Sequence, residues 1–90
     1  MGQLIQQVDT ILSQTFPGSE RYLEIVPGER IGGYMAWQGF EGVAYYDRQR
    51  RVWDTLQANL PQGEPEHVSA ILAFTPGERN AYREGVEDDH

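Results

Sequence analysis

The 90-residue chain contains no cysteine and no lysine. Without cysteine it can form no disulfide, supply no thiolate nucleophile and build no self-contained cysteine metal site. Without lysine, all 7 basic residues are arginine, and 14 Asp and Glu outnumber them to give a formal net charge of −7. An acidic domain repels phosphate at long range, which argues for weak or no non-specific nucleic-acid binding. No apolar run approaches the roughly 20 residues of a bilayer span. Met1 to Pro17 has polar residues throughout and no basic start, so it does not read as a signal peptide. The expectation is a cytoplasmic protein without a membrane segment. Enzyme signals are missing as well. No Ser lies in a nucleophile context, no Gly-rich loop suits a phosphate, and no paired carboxylates flank a plausible cleft. Glu64 and Glu66 fall in a turn and read as solvated. The chain therefore reads as non-catalytic.

What is present fits one domain, residues 1–84, followed by an acidic tail at 85–90 that reads as frayed and includes His90. Such a chain buries about 60–65% of its unfolded surface. Two Trp, five Tyr and three Phe supply enough large apolar groups for one core. Leu4, Ile5, Val8, Ile11, Leu12 and Phe16 recur at helical spacing, and Pro17-Gly18 stops that helix. Residues 21–26 (Arg-Tyr-Leu-Glu-Ile-Val) read as a strand, residues 27–33 as a turn and loop, and residues 34–37 as a second strand. The two strands form an antiparallel hairpin. Gln38 to Gly42 is a tight connection. Asp47 is positioned to cap the next helix, whose apolar stripe is Val52, Trp53, Leu56 and Leu60. Trp53 and Leu56 are expected in the core.

Residues 61–65 (Pro-Gln-Gly-Glu-Pro) end that helix. Residues 68–74 are apolar at nearly every position, which suits a central strand or one covered on both faces. Thr75 caps the last helix, Pro76 takes its first position, and Glu78 completes a capping box. The order is α-β-β-α-β-α, an α+β arrangement with one three-stranded mixed sheet and helices mainly on one side. A right-handed crossover makes the second and third strands parallel if they are neighbours.

Two segments carry a more specific pattern. Phe40-Glu41-Gly42 precedes Val43-Ala44-Tyr45-Tyr46-Asp47-Arg48-Gln49-Arg50-Arg51-Val52-Trp53-Asp54-Thr55-Leu56. After a break comes His67-Val68-Ser69-Ala70-Ile71-Leu72-Ala73-Phe74-Thr75-Pro76-Gly77-Glu78. Together they resemble the core signature of the BolA family: an aromatic-x-Gly turn, a helix with an Arg-rich start, and a His-led apolar strand ending in Thr-Pro. The resemblance runs from Leu4 to Tyr82, and its most specific element is the spacing of His67 to Thr75-Pro76. It implies the BolA fold, which is similar to the class II KH fold.

The resemblance also implies a function. BolA-like proteins act as non-catalytic adaptors in iron–sulfur trafficking or iron regulation, sharing a [2Fe-2S] cluster with a monothiol glutaredoxin that contributes thiolates. A histidine at the position of His67 is the family's ligand. A second His or Cys usually stands in the hairpin loop, where this chain has Val26-Pro27-Gly28-Glu29-Arg30-Ile31-Gly32-Gly33. A carboxylate such as Glu29 suits iron–sulfur less well than imidazole or thiolate. Parallel second and third strands set His67 beside that loop. The expected partner surface is the loop together with the last helix, through Glu29, Arg30, Thr75, Pro76 and Arg79. The bland alternative for His67 is a strand-end histidine bonded to a backbone carbonyl. One histidine cannot hold a metal tightly without donors from another molecule.

The alternative function proposed for the family is DNA-binding regulation of stress response or cell shape. Arg48, Arg50 and Arg51 would carry it, in a place where the family usually reads Arg-His-Arg and some members carry Gln at the position of Gln49. Equally, these arginines form a solvated face paired with Asp47 and Asp54. Trp37, Tyr45, Tyr46 and Trp53 could stack bases, or be core and half-core residues.

Overall fold

The computed structural model describes residues 2–87. Helix α1 (Gly2–Thr15) leads into strands β1 (Glu20–Val26) and β2 (Arg30–Ala36). A single 3-10 turn at Gln38–Phe40 precedes α2 (Tyr45–Asn59), and another at Glu64–His67 precedes β3 (Val68–Phe74). Helix α3 (Pro76–Glu87) ends the described chain and takes in the first three residues of the acidic tail. Residues 88–90, His90 among them, lie outside the described residues.

The sheet order is β1-β2-β3, with β1 antiparallel and β3 parallel to β2. This is the expected mixed sheet, and its parallel pair follows from the crossover through α2. Two details differ from the sequence expectation. The central strand is β2, not β3, so β3 lies at an edge with Ser69 and Ala70 exposed. And β2 begins at Arg30, so the loop expected over 27–33 is a turn at 27–29.

Gly32-Gly33 explains that second difference. The pair reads as loop chemistry, yet both residues are paired within β2. Gly33 has φ 144, and a Cβ there would overlap the Tyr22 carbonyl oxygen of β1. Its role is to permit close approach between two strands. The β2–β3 register shifts at the same place, between Ile31 and Gly33.

The two faces of the sheet are covered differently. On one face α1 contributes Leu4, Val8 and Leu12, and α2 contributes Val52, Leu56 and Leu60. They pack on Ile31, Met35, Val68, Ile71 and Ala73, with Phe16 and Phe40 closing the far end. Strand side chains alternate faces, so Tyr34 points away from Met35 to the second face. There α3 returns along the sheet, with the Tyr82 ring 5.9 Å from Tyr34 and 5.3 Å from Phe74. Two helices thus cover one face and the third covers part of the other.

The expectation for Trp53 is overturned, because it is 39% exposed while Leu56 is 1% exposed. Val52, Leu56 and Leu60 repeat every four residues along one side of α2. Trp53 is one residue round the helix from Val52, about 100° off that side.

Candidate functional site

His67 is the last residue of the 3-10 turn before β3, and it is exposed. Its neighbour Val68 is the register partner of Ile31 at the start of β2. The imidazole position is therefore beside the β1–β2 hairpin, as the parallel pairing requires. One hydrogen bond ties the two segments together: Arg30 Nη2 donates to the Glu66 carbonyl at 3.2 Å. The hairpin tip is open, with Pro27, Gly28, Glu29 and Arg30 all exposed. Gly28 (φ 89) and Glu29 (φ 58) are both left-handed. For Glu29 that backbone is uncommon, so the turn carries some strain.

The donor set at this end is thin. The hairpin offers only the Glu29 carboxylate beside the one imidazole. Among the described residues, no group of three His, Cys, Asp or Glu could hold a metal ion. The residues present fit a single imidazole ligand whose companions come from another molecule, and they do not fit a cluster held by this chain alone.

The five residues expected to form the partner surface are split by the sheet. Glu29 and Arg30 lie at the His67 end. Thr75, Pro76 and Arg79 begin α3 after the opposite end of β3, about 20 Å away over a seven-residue strand. Their side chains are also engaged. Thr75 is buried; its Oγ1 accepts from the Glu78 N–H at 3.2 Å, and its N–H donates to Glu78 Oε1 at 2.9 Å. This is the capping box that the sequence announces. Arg79 is held by Glu20 across the sheet, Nη2 to Oε2 3.0 Å. The five residues therefore form two groups, one at each end of β3.

The arginines of α2 likewise do not share one face. Arg48 is buried. Its Nε donates to the Val43 carbonyl at 2.7 Å, Nη1 reaches the Ala73 carbonyl at 3.4 Å, and the guanidinium pairs with the Glu78 carboxylate. Arg48 thus ties α2 to β3 and α3. It lowers the Glu78 pKa below its ordinary value of 4.5, chiefly through their hydrogen bond and then through the Thr75 backbone bond. Arg50 makes only a loose exposed pair with Asp54 at 3.8 Å. Arg51 lies over the rings of Phe16 and Trp37, 5.6 and 5.5 Å from their centroids. Asp47 is not the cap of α2: Ala44 occupies that position without a side-chain bond, and Asp47 sits in the first turn, where its negative charge is favourable to the helix dipole.

Gln49 has a role that the sequence did not signal. Its Nε2 donates to the Ile71 carbonyl at 3.0 Å, and its Oε1 accepts from the Ala73 N–H at 2.7 Å. The side-chain amide occupies the place of the next strand's peptide group and closes that half of the β3 edge. The role depends on β3 being an edge strand, whereas its apolar run suited a central one.

Of the four aromatics considered for stacking, Tyr45, Tyr46 and Trp53 are exposed. Trp37 is half-buried against Phe16 and Phe40, and its Nε1 donates to the Pro17 carbonyl at 2.9 Å. They do not form one platform. Among the described residues, no helix is long and apolar enough to cross a membrane.

No family model matches the chain, and no curated protein matches it either. A solved structure does: the crystal structure of a Bol-like protein from Babesia bovis. It is 25% identical, with a TM-score of 0.62, and the match covers 87% of this chain and 91% of that one. The mixed sheet, the parallel β2–β3 pair and the three helices are those of a BolA-like fold.

Proposed function

We propose that this protein is a BolA-like, non-catalytic adaptor in iron–sulfur cluster trafficking or iron regulation. It works in the cytoplasm with a monothiol glutaredoxin. His67 supplies one ligand to a [2Fe-2S] cluster whose thiolates come from the partner, and the Pro27–Arg30 turn flanks the contact. The observation that carries this reading is the placement of His67, an exposed imidazole beside the open hairpin of a BolA-like fold. The thin donor set is consistent with it, because a shared cluster asks for only one ligand from this chain. The DNA-regulator reading gains no comparable support, since Arg48 is buried and Arg51 lies over two aromatic rings.

The test is a mixture with a monothiol glutaredoxin, iron and glutathione. The expected product is a heterocomplex whose visible absorption and circular dichroism differ from those of the glutaredoxin homodimer. His67→Ala removes the difference. Identical spectra with and without this protein, at concentrations where binding is otherwise detected, overturn the ligand role.

A further inference from the structure

The second face of the sheet carries a feature that the adaptor reading does not use. An open groove of about 310 Å³ is lined by Tyr22, Glu24, Tyr34, Leu72 and Tyr82, with Gly33 and Ala70 also at its walls. Tyr22 and Tyr34 are cross-strand partners on β1 and β2, stacked with centroids 5.6 Å apart. Tyr82 on α3 continues the aromatic wall, 5.9 Å from Tyr34. Tyr22 and Tyr82 are exposed at 53% and 44%. A cross-strand pair stabilises a sheet, but that role does not require two of three rings to stand open to solvent around a groove.

Among the described residues, the one charged group in the lining is Glu24. The Tyr22 hydroxyl donates to its Oε2 at 3.3 Å. A phenol that donates to a carboxylate is more electron-rich, which strengthens the attraction of its ring face for a cation. Among the described residues, no arginine lines the groove to compete. Arg79, the arginine of α3 that reaches across to β1, is held by Glu20. The whole chain is acidic, with a net charge of −7. Phosphate-bearing ligands are therefore disfavoured here, even though open tyrosines could stack on bases.

We propose that this groove receives a cationic side chain, the guanidinium of an arginine in a basic segment of a partner protein. The phenol faces of Tyr22, Tyr34 and Tyr82 take the guanidinium plane, and Glu24 takes its charge. The groove uses none of the residues assigned to cluster binding, so it can be tested independently of His67.

The probe is N-acetyl-arginine amide, with N-acetyl-citrulline amide as its uncharged isostere. Each is titrated into the full chain while the tyrosine ring resonances are followed by NMR. The arginine probe should give saturable shifts at Tyr22, Tyr34 and Tyr82. The citrulline probe should bind at least about fivefold more weakly, because cation–π attraction is lost with the charge. Glu24→Gln, on an exposed strand position, should retain the fold and weaken arginine binding about five- to tenfold. Tyr22→Leu should weaken it similarly, with folding checked by far-UV circular dichroism. Equal response to the two probes overturns the proposal. So does the absence of shifts at the three tyrosines, or a response that is spread over the acidic surface and unaltered in Glu24→Gln.

Discussion

The two ends of the sheet are finished in opposite ways. At the end where β3 runs into α3, the polar groups are largely satisfied internally. Gln49 closes the strand edge, Arg48 joins three elements, and Thr75 and Glu78 cap α3 reciprocally. At the end where β3 begins, one hydrogen bond from Arg30 to the Glu66 carbonyl links hairpin to turn, and His67 and the hairpin tip stand in water. Both ends are rich in charged and turn-forming residues, so composition does not separate them. What separates them is where the side chains find partners. A satisfied end is costly to disturb and serves stability, whereas an unsatisfied one is free to bind.

The first way to sharpen this contrast is to set the scale of the shared core. Leu56→Ala should cost about 2–5 kcal/mol, because a fully buried leucine leaves a cavity. Chemical denaturation reads this directly, and an unchanged midpoint would mean that the helix face is misplaced.

Next comes the satisfied end. Arg48→Ala removes a donor from the Ala73 and Val43 carbonyls and the ion-pair partner of Glu78, which keeps its bond from the Thr75 N–H. The expected cost is about 2 kcal/mol. That is below the usual figure for breaking a buried pair, because the Glu78 side chain is 49% exposed and water can take it over. Gln49→Ala should cost about 1–2 kcal/mol by uncovering the Ile71 carbonyl and Ala73 N–H. Hydrogen exchange at Ala73 should accelerate with it. Exchange as slow as in the parent would show that the amide clamp contributes nothing.

A smaller effect is pH-dependent. Glu78 has a lowered folded pKa, so its contribution is fully present above the unfolded value and is lost as pH falls through the folded value. Stability should therefore decline below about pH 4.5, and Glu78→Gln should flatten part of that decline. A curve of the same slope in the variant would deny the pair its role. The smallest effect belongs to the open end. His67→Ala should change stability by less than about 0.5 kcal/mol, since an exposed residue outside the core carries little. A larger loss would mean that His67 is a structural histidine after all.

Much of the fold is legible in the sequence because its signals are local. The four-residue repeat of Leu4, Val8 and Leu12 writes α1, and Thr75-Pro76-Gly77-Glu78 writes the start of α3 in capping chemistry alone. The parallel pairing of β2 with β3 follows from the crossover rule, and with it the place of His67. The rest depends on contacts between distant segments. Gly32-Gly33 reads as loop until the closeness of the Tyr22 carbonyl is known. The fates of Arg48, Arg50 and Arg51 are set by which elements pack against each side of α2, which a basic cluster in a string does not convey. The division of the expected partner surface needs the strand direction combined with the length of β3. Tyr22, Tyr34 and Tyr82 come from three elements, and nothing in their sequence spacing joins them.

The contrast between the two ends is tested most directly by mapping the chain's backbone resonances on addition of cluster-loaded monothiol glutaredoxin. Perturbation is expected over Pro27–Arg30 and Glu66–Ser69, with Ala73–Arg79 unchanged. Perturbation confined to Ala73–Arg79, with His67 and the hairpin untouched, would contradict it.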